Sequence, residues 1–147
     1  MFSYSMLFAS SFLAATIFPF YSEIILTSLL YEGLSPLWLW LVATLGNTLG
    51  AVVNWAIGRH LLHFSDRRWF PFNPEKLRRS QDWFQRYGKW SLLLAWMPVG
   101  GDALTFIAGT MKVRLLTLVV LAGIGKGVRY LVVIAIVAYA IDLNWAR

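Results

Sequence analysis

Apolar positions run along this chain in long blocks, broken at a few places by proline, glycine or a single acid. Residues 33–58 are 26 positions without a charge. At ~1.5 Å per residue, such a helix crosses a ~30 Å hydrocarbon core with some tilt. The pattern predicts a transmembrane helix over 35–58, with Pro36 in its first turn and Trp38 and Trp40 at one membrane interface. A second long helix is expected over 115–141, ending near Asp142, Trp145 and Arg147. Residues 90–110 are also apolar but are interrupted by Pro98, Gly100, Gly101 and Asp102. Residues 1–31 are interrupted in the same way by Pro19 and Glu23. Both segments are read as re-entrant hairpins, since broken backbone at that depth is tolerated only where protein or a wet cavity covers it. No Lys or Arg precedes Arg59, which argues against a cleaved signal peptide and has the first hairpin entering from the outer face.

Between these blocks, residues 59–89 hold Arg59, Arg67, Arg68, Lys76, Arg78, Arg79, Arg86 and Lys89 against Asp66, Glu75 and Asp82. This is a hydrophilic loop carrying a helix over Pro74–Tyr87, opened by Asn73 and stopped at Tyr87-Gly88. The positive-inside rule assigns it to the cytoplasm. A full span over 90–110 would carry Lys112 and Arg114 outside, whereas a hairpin returns them to the basic side.

Composition sharpens this picture. The 147 residues are 59% hydrophobic and 14% charged, against about 25% charged in a soluble domain. A soluble chain of this size could not hide so much apolar surface. The net charge of +6 therefore reads as a topology signal. Attraction of Trp69, Trp83 and the basic side chains to anionic lipid fits it better than nucleic-acid binding does. There is no Cys, which excludes disulfides, thiolate metal sites and cysteine nucleophiles.

Sliding the chain on itself by 79 residues aligns Pro19 with Pro98 and Glu23 with Asp102. The same shift aligns Leu37 and Leu39 with Leu116 and Leu118, and Ala43 and Gly46 with Ala122 and Gly125. Each half reads as a broken hairpin followed by a long helix. One long span separates equivalent points, so the halves are expected to be inverted in the membrane. Many transporters are built this way, with the site at the repeat interface. The expected fold is all-α and integral to the membrane, a single membrane domain over 1–147. Its parts are repeat one over 1–58, the cytoplasmic basic loop over 59–89, and repeat two over 90–141.

Glu23, Asp102, Lys126 and Arg129 fall in segments placed at membrane depth. Each ionised group at a helix centre costs roughly 2.5–3.5 kcal/mol on insertion scales, so such residues are functional by default. Two acids and two bases can pair and offset much of that cost. Lys126 and Arg129 are three apart and share a helix face, while Gly123, Gly125 and Gly127 thin the same helix. Asn47, with Thr44, Thr48 and Asn54, supplies a polar face on the first long helix. The functional reading is a cavity for an anionic head group. Lys126 and Arg129 would hold phosphate; Glu23 and Asp102 would carry a coupling proton or balance charge. The competing reading is a static ion-pair network that fixes helix packing. His60, His63 and Asp66 could share a helical turn as a metal site, but interfacial packing explains them better. The Gly46/Gly50 and Gly123/Gly127 spacings suit packing within the chain more than dimerisation. No phosphate loop, hydrolase elbow, zinc motif or dinucleotide fingerprint is present in the sequence, so no enzyme, cofactor or metal is expected.

Phe18-Pro19-Phe20-Tyr21-Ser22-Glu23 resembles the first hairpin of the DedA (VTT, SNARE-associated) membrane family. Gly46-Asn47-Thr48-Leu49-Gly50 followed by Ile57-Gly58-Arg59 resembles its glycine-rich helix. Tyr87-Gly88-Lys89, Trp96-Met97-Pro98 and Ala108-Gly109-Thr110-Met111 resemble its second hairpin. The likeness covers nearly the whole chain and is nearest to the short, YqaA-like branch. It implies a multi-pass protein of the bacterial inner membrane that moves phosphate-bearing lipids between leaflets, with links to proton coupling. By position, Glu23 matches the family's hairpin acid. The family's hairpin arginines fall on Ala95 and Gly101, so the phosphate role would pass to Lys126 and Arg129. The expected function is a flippase or scramblase of phosphate-bearing lipids. The alternatives are a small proton- or ion-coupled solute transporter and a non-transporting membrane assembly protein. The expected partners are lipids with anionic head groups, and not nucleic acid. So few helices enclose little, and a homodimer is one way to complete a pathway.

Overall fold

A computed structural model describes residues 2–15, 21–61, 74–97 and 101–145. Its elements are α1 (Phe2–Ala14), α2 (Tyr21–Tyr31), α3 (Pro36–Leu61), α4 (Pro74–Tyr87), a 3-10 segment (Gly88–Trp96), α5 (Gly101–Thr110) and α6 (Leu115–Trp145). Every element among the described residues is helical. The interruptions expected at Pro19, Pro98 and Gly100 lie outside the described residues, whereas Gly101 opens α5.

Two helices are long and apolar enough to cross a membrane, Pro36–His60 and Leu115–Asp142. At ~1.5 Å per residue, their 25 and 28 residues span more than the ~30 Å hydrocarbon core. Only a third of the most apolar stretch of each is buried. Leu116 is 75% exposed and Ile136 63%, a surface suited to lipid and too apolar for water. Both helices run beyond their expected ends. α3 continues through Arg59, whose positive charge suits a helix C-terminus, and His60. Loss of hydrophobicity at Gly58 marks the end of the apolar stretch, not the end of the helix.

The chain forms two compact units, one of residues 1–50 and 126–147 and the other of residues 51–125. In the first, α1 packs on α2. Its core holds Leu7, Leu26, Leu39, Ala43, Tyr130 and Ile134. Gly46 and Gly50 lie against the backbone of α1. A side chain at either would meet a carbonyl, that of Phe8 or Phe12, at 2.7 Å. This GxxxG spacing therefore serves packing within the chain. Trp38 is exposed, as an interfacial anchor should be. Trp40 is not: its indole turns inward and Nε1 donates to the Gly127 carbonyl at 2.8 Å.

The second unit packs α4 and the 3-10 segment on α5 around Phe84, Leu92, Phe106, Ile107 and Leu118. Gly58 of α3 abuts the Phe106 backbone and Gly109 of α5 abuts that of Trp55, so the two helices cross closely. The Trp55 Nε1–H, donated to the Val113 carbonyl at 2.9 Å, fixes that crossing. α4 ends where Gly88 takes φ +61°, the left-handed conformation that glycine adopts freely.

Two turns share one hydrogen-bond pattern. After α2, Gly33 N–H donates to the Leu30 carbonyl and Leu34 N–H to that of Leu29. After α5, Lys112 N–H donates to Gly109 and Val113 N–H to Ala108. Both are Schellman caps, with φ +82° at Gly33 and 56° at Lys112.

Candidate functional site

The first unit gathers most of the ionisable residues singled out in the sequence. α2 presents Ser22 and Glu23 in its first turn, α3 presents Asn47, and α6 presents Lys126, Arg129 and Tyr130. Arg129 donates from Nε to Glu23 Oε1 at 2.7 Å. Its Nη2 lies 2.6 Å from the same oxygen. The side chains keep 13% and 26% exposure respectively, so the pair is sheltered but not sealed. Burying an ion pair gains little stability over an apolar substitute.

Beside this pair runs a buried polar chain. Lys126 Nζ donates to Asn47 Oδ1. Asn47 Nδ2 donates to the Tyr130 hydroxyl at 2.8 Å, and that hydroxyl donates to Ser22 Oγ at 3.0 Å. Lys126 and Tyr130 are one helical turn apart on α6, so both face Asn47. All four side chains are buried, Lys126 to 3% and Tyr130 to 1% exposure. The chain ends at the residue next to Glu23, so it ties the buried ammonium to the backbone that carries the acid. Its amide link orients its neighbours but is a poor path for protons, because amide N–H and carbonyl have fixed donor and acceptor roles. Among the described residues, the buried hydroxyl oxygens of Ser11, Thr44 and Thr48 have no hydrogen-bond partner.

The structure brings Glu23, Asn47, Lys126 and Arg129 into one unit. Asp102 lies in the first turn of α5, in the other unit, and is half-buried. Sequence reasoning missed Tyr130 and Ser22. The available signal was Tyr130 lying one turn after Lys126, a polar tip on a face already marked as charged. His60 is exposed at the end of α3, while His63 and Asp66 lie outside the described residues. Arg129 is well suited to an oxyanion: its guanidinium forks onto carboxylate or phosphate oxygens alike.

Among the described residues, an all-helical fold with two helices of membrane length and a sheltered acid–base pair defines the class. Residues 5–139 match the model of the VTT domain, and the chain belongs to that family, also called DedA. Inner membrane protein YqaA of Escherichia coli is 41% identical over 130 residues, covering 88% of this chain and 87% of that protein. An uncharacterized protein of Haemophilus influenzae is 36% identical over 135 residues, covering 84% and 80%. Undecaprenyl phosphate transporter A of Staphylococcus aureus is 32% identical over 116 residues, covering 71% of this chain and 57% of that longer protein. No solved structure matches the chain at comparable significance. The chain is an inner-membrane protein with helices able to span the bilayer.

Proposed function

We propose that the protein is a translocase of phosphate-bearing lipids. The carrying observation is the half-sheltered Arg129–Glu23 pair, in which two donors of one guanidinium converge on a single carboxylate oxygen. A lipid phosphate offers Arg129 the same acceptor geometry as Glu23 does. Carboxylate and phosphate therefore compete for one cation. Protonation of Glu23 removes its charge and releases Arg129 to the phosphate; loss of the proton expels the phosphate again. This links lipid passage to proton passage with one residue on each side of the exchange. Lys126, anchored by Asn47, adds positive potential deeper in the unit. Asp102 is the sequence counterpart of Glu23 and takes the matching role in the second half. The name of the Staphylococcus aureus relative, an undecaprenyl phosphate transporter, supports a phosphate-bearing lipid as cargo.

The architecture we infer is two inverted repeats, each a re-entrant hairpin followed by a long helix, with the basic segment in the cytoplasm. Three observations support it. α3 and α6 begin at Pro36 and Leu115, 79 residues apart. The two Schellman caps sit at Gly33 and Lys112, again 79 apart. Asn47 and Lys126, bonded to each other, are 79 apart as well, as expected where two-fold related helices meet at equivalent positions.

The test is leaflet exchange of a polyprenyl phosphate in proteoliposomes. Arg129→Gln should abolish exchange while the protein stays helical and monodisperse. Exchange at the wild-type rate in that variant would refute the role given to Arg129.

A further inference from the structure

The second unit carries an open groove that the translocation site does not use. It encloses about 260 Å³ between the 3-10 segment and the start of α6, and is lined by Lys89, Trp90, Leu116, Thr117, Val120 and Leu121. Its walls are apolar, and Leu116, Val120 and Trp90 are exposed. Lys89 stands at the rim, its ammonium 5.7 Å from the centre of the Trp90 ring, within cation–π range. The rim is held in place. Gly88 turns the backbone with φ +61°, and Ser91 Oγ donates to the Gly88 carbonyl at 2.8 Å. Gly125 lets α6 sit against the Leu93 backbone, so the two walls of the groove are locked together.

We propose that this groove holds an anionic phospholipid of the leaflet on the basic side, one acyl chain between the walls and its phosphate on Lys89. The argument is one of shape and charge together. The volume lies just below the ~300–1,000 Å³ of pockets for drug-sized ligands, which suits part of one acyl chain and not a whole lipid. An indole beside an ammonium at the end of an apolar wall matches the boundary between acyl chains and head groups. The same unit exposes Arg86, Lys112 and Arg114, so its field favours a negative head group over a zwitterionic one. The bound lipid is a resident of this surface and not the transported cargo. The proposal rests on the membrane location alone and is independent of translocation.

The chain has no cysteine, so Thr117→Cys places a single bimane label in the groove. The labelled protein, in a neutral detergent, is titrated with dioleoyl phosphatidylglycerol, with dioleoyl phosphatidylcholine, and with inorganic phosphate. A saturable fluorescence change with phosphatidylglycerol is expected at concentrations where the other two give none. Lys89→Gln should weaken that response by about fivefold, the typical effect of one surface cation on anionic lipid, and Lys89→Arg should keep it. Val120→Trp should fill the groove and remove the response, and a label at Ile124 should report none. An equal response to both phospholipids, or one that survives Lys89→Gln unchanged, would overturn the proposal. So would a change that depends on protein concentration and not on lipid, which would mean that a second copy covers the groove.

Discussion

Arg129 spends two of its donors on one oxygen of Glu23, a fork that suits phosphate oxygens as well. Lys126 donates to the neutral amide of Asn47. Tyr130 holds that amide and Ser22 together through one hydroxyl. Tyr130→Phe leaves the Asn47 N–H without its acceptor, at a cost of roughly 1–3 kcal/mol for a buried unpaired group. The midpoint of thermal unfolding in detergent should fall by several degrees. Leaflet exchange should drop less than in Arg129→Gln, because the ion pair does not touch the phenol. An unchanged midpoint would show that the polar chain carries no structural weight. Glu23, Lys126 and Arg129 were legible in the sequence because charge inside an apolar block is conspicuous, whereas the other acid marked there, Asp102, falls in the second unit. Ser22 and Tyr130 were not, since a serine at a helix start and a tyrosine among aliphatic residues look ordinary until three helices bring them together.

At the scale of elements, the two caps invite a paired test. Gly33 takes positive φ without steric cost, whereas Lys112 takes it with a Cβ. Lys112→Gly should stabilise by roughly 0.5–1 kcal/mol after the entropy cost of glycine is counted, and Gly33→Ala should destabilise by about 1 kcal/mol. The two unfolding midpoints should therefore move in opposite directions; movement in the same direction would show that the caps do not set these turns. The helices themselves were legible from apolar run length and from Pro, Gly and Asn punctuation. The end of α4 at Tyr87 was read to the residue, because Gly88 closes a strongly amphipathic stretch. Trp40 was misread as an interfacial anchor, because composition cannot tell an indole facing head groups from one that donates to a carbonyl of α6.

For the whole molecule, charge distribution made the membrane class plain before any coordinates. Apolar surface on this scale has no other solvent, and the exposed faces of α3 and α6 agree. In the sequence, the repetition proposed above leaves only a 79-residue echo. Two caps and two helix starts share that spacing, which a comparison of residue types does not register because glycine answers to lysine. On the reading proposed above, the protein moves phosphate-bearing lipid by exchanging Glu23 for phosphate on Arg129. The most direct measurement is leaflet exchange of labelled phospholipid and polyprenyl phosphate in proteoliposomes at two pH values, with wild type and Glu23→Gln. Exchange by the wild type should change with pH and should be lost in Glu23→Gln. Exchange by Glu23→Gln at the wild-type rate, or no movement of either lipid by folded wild type, would contradict it.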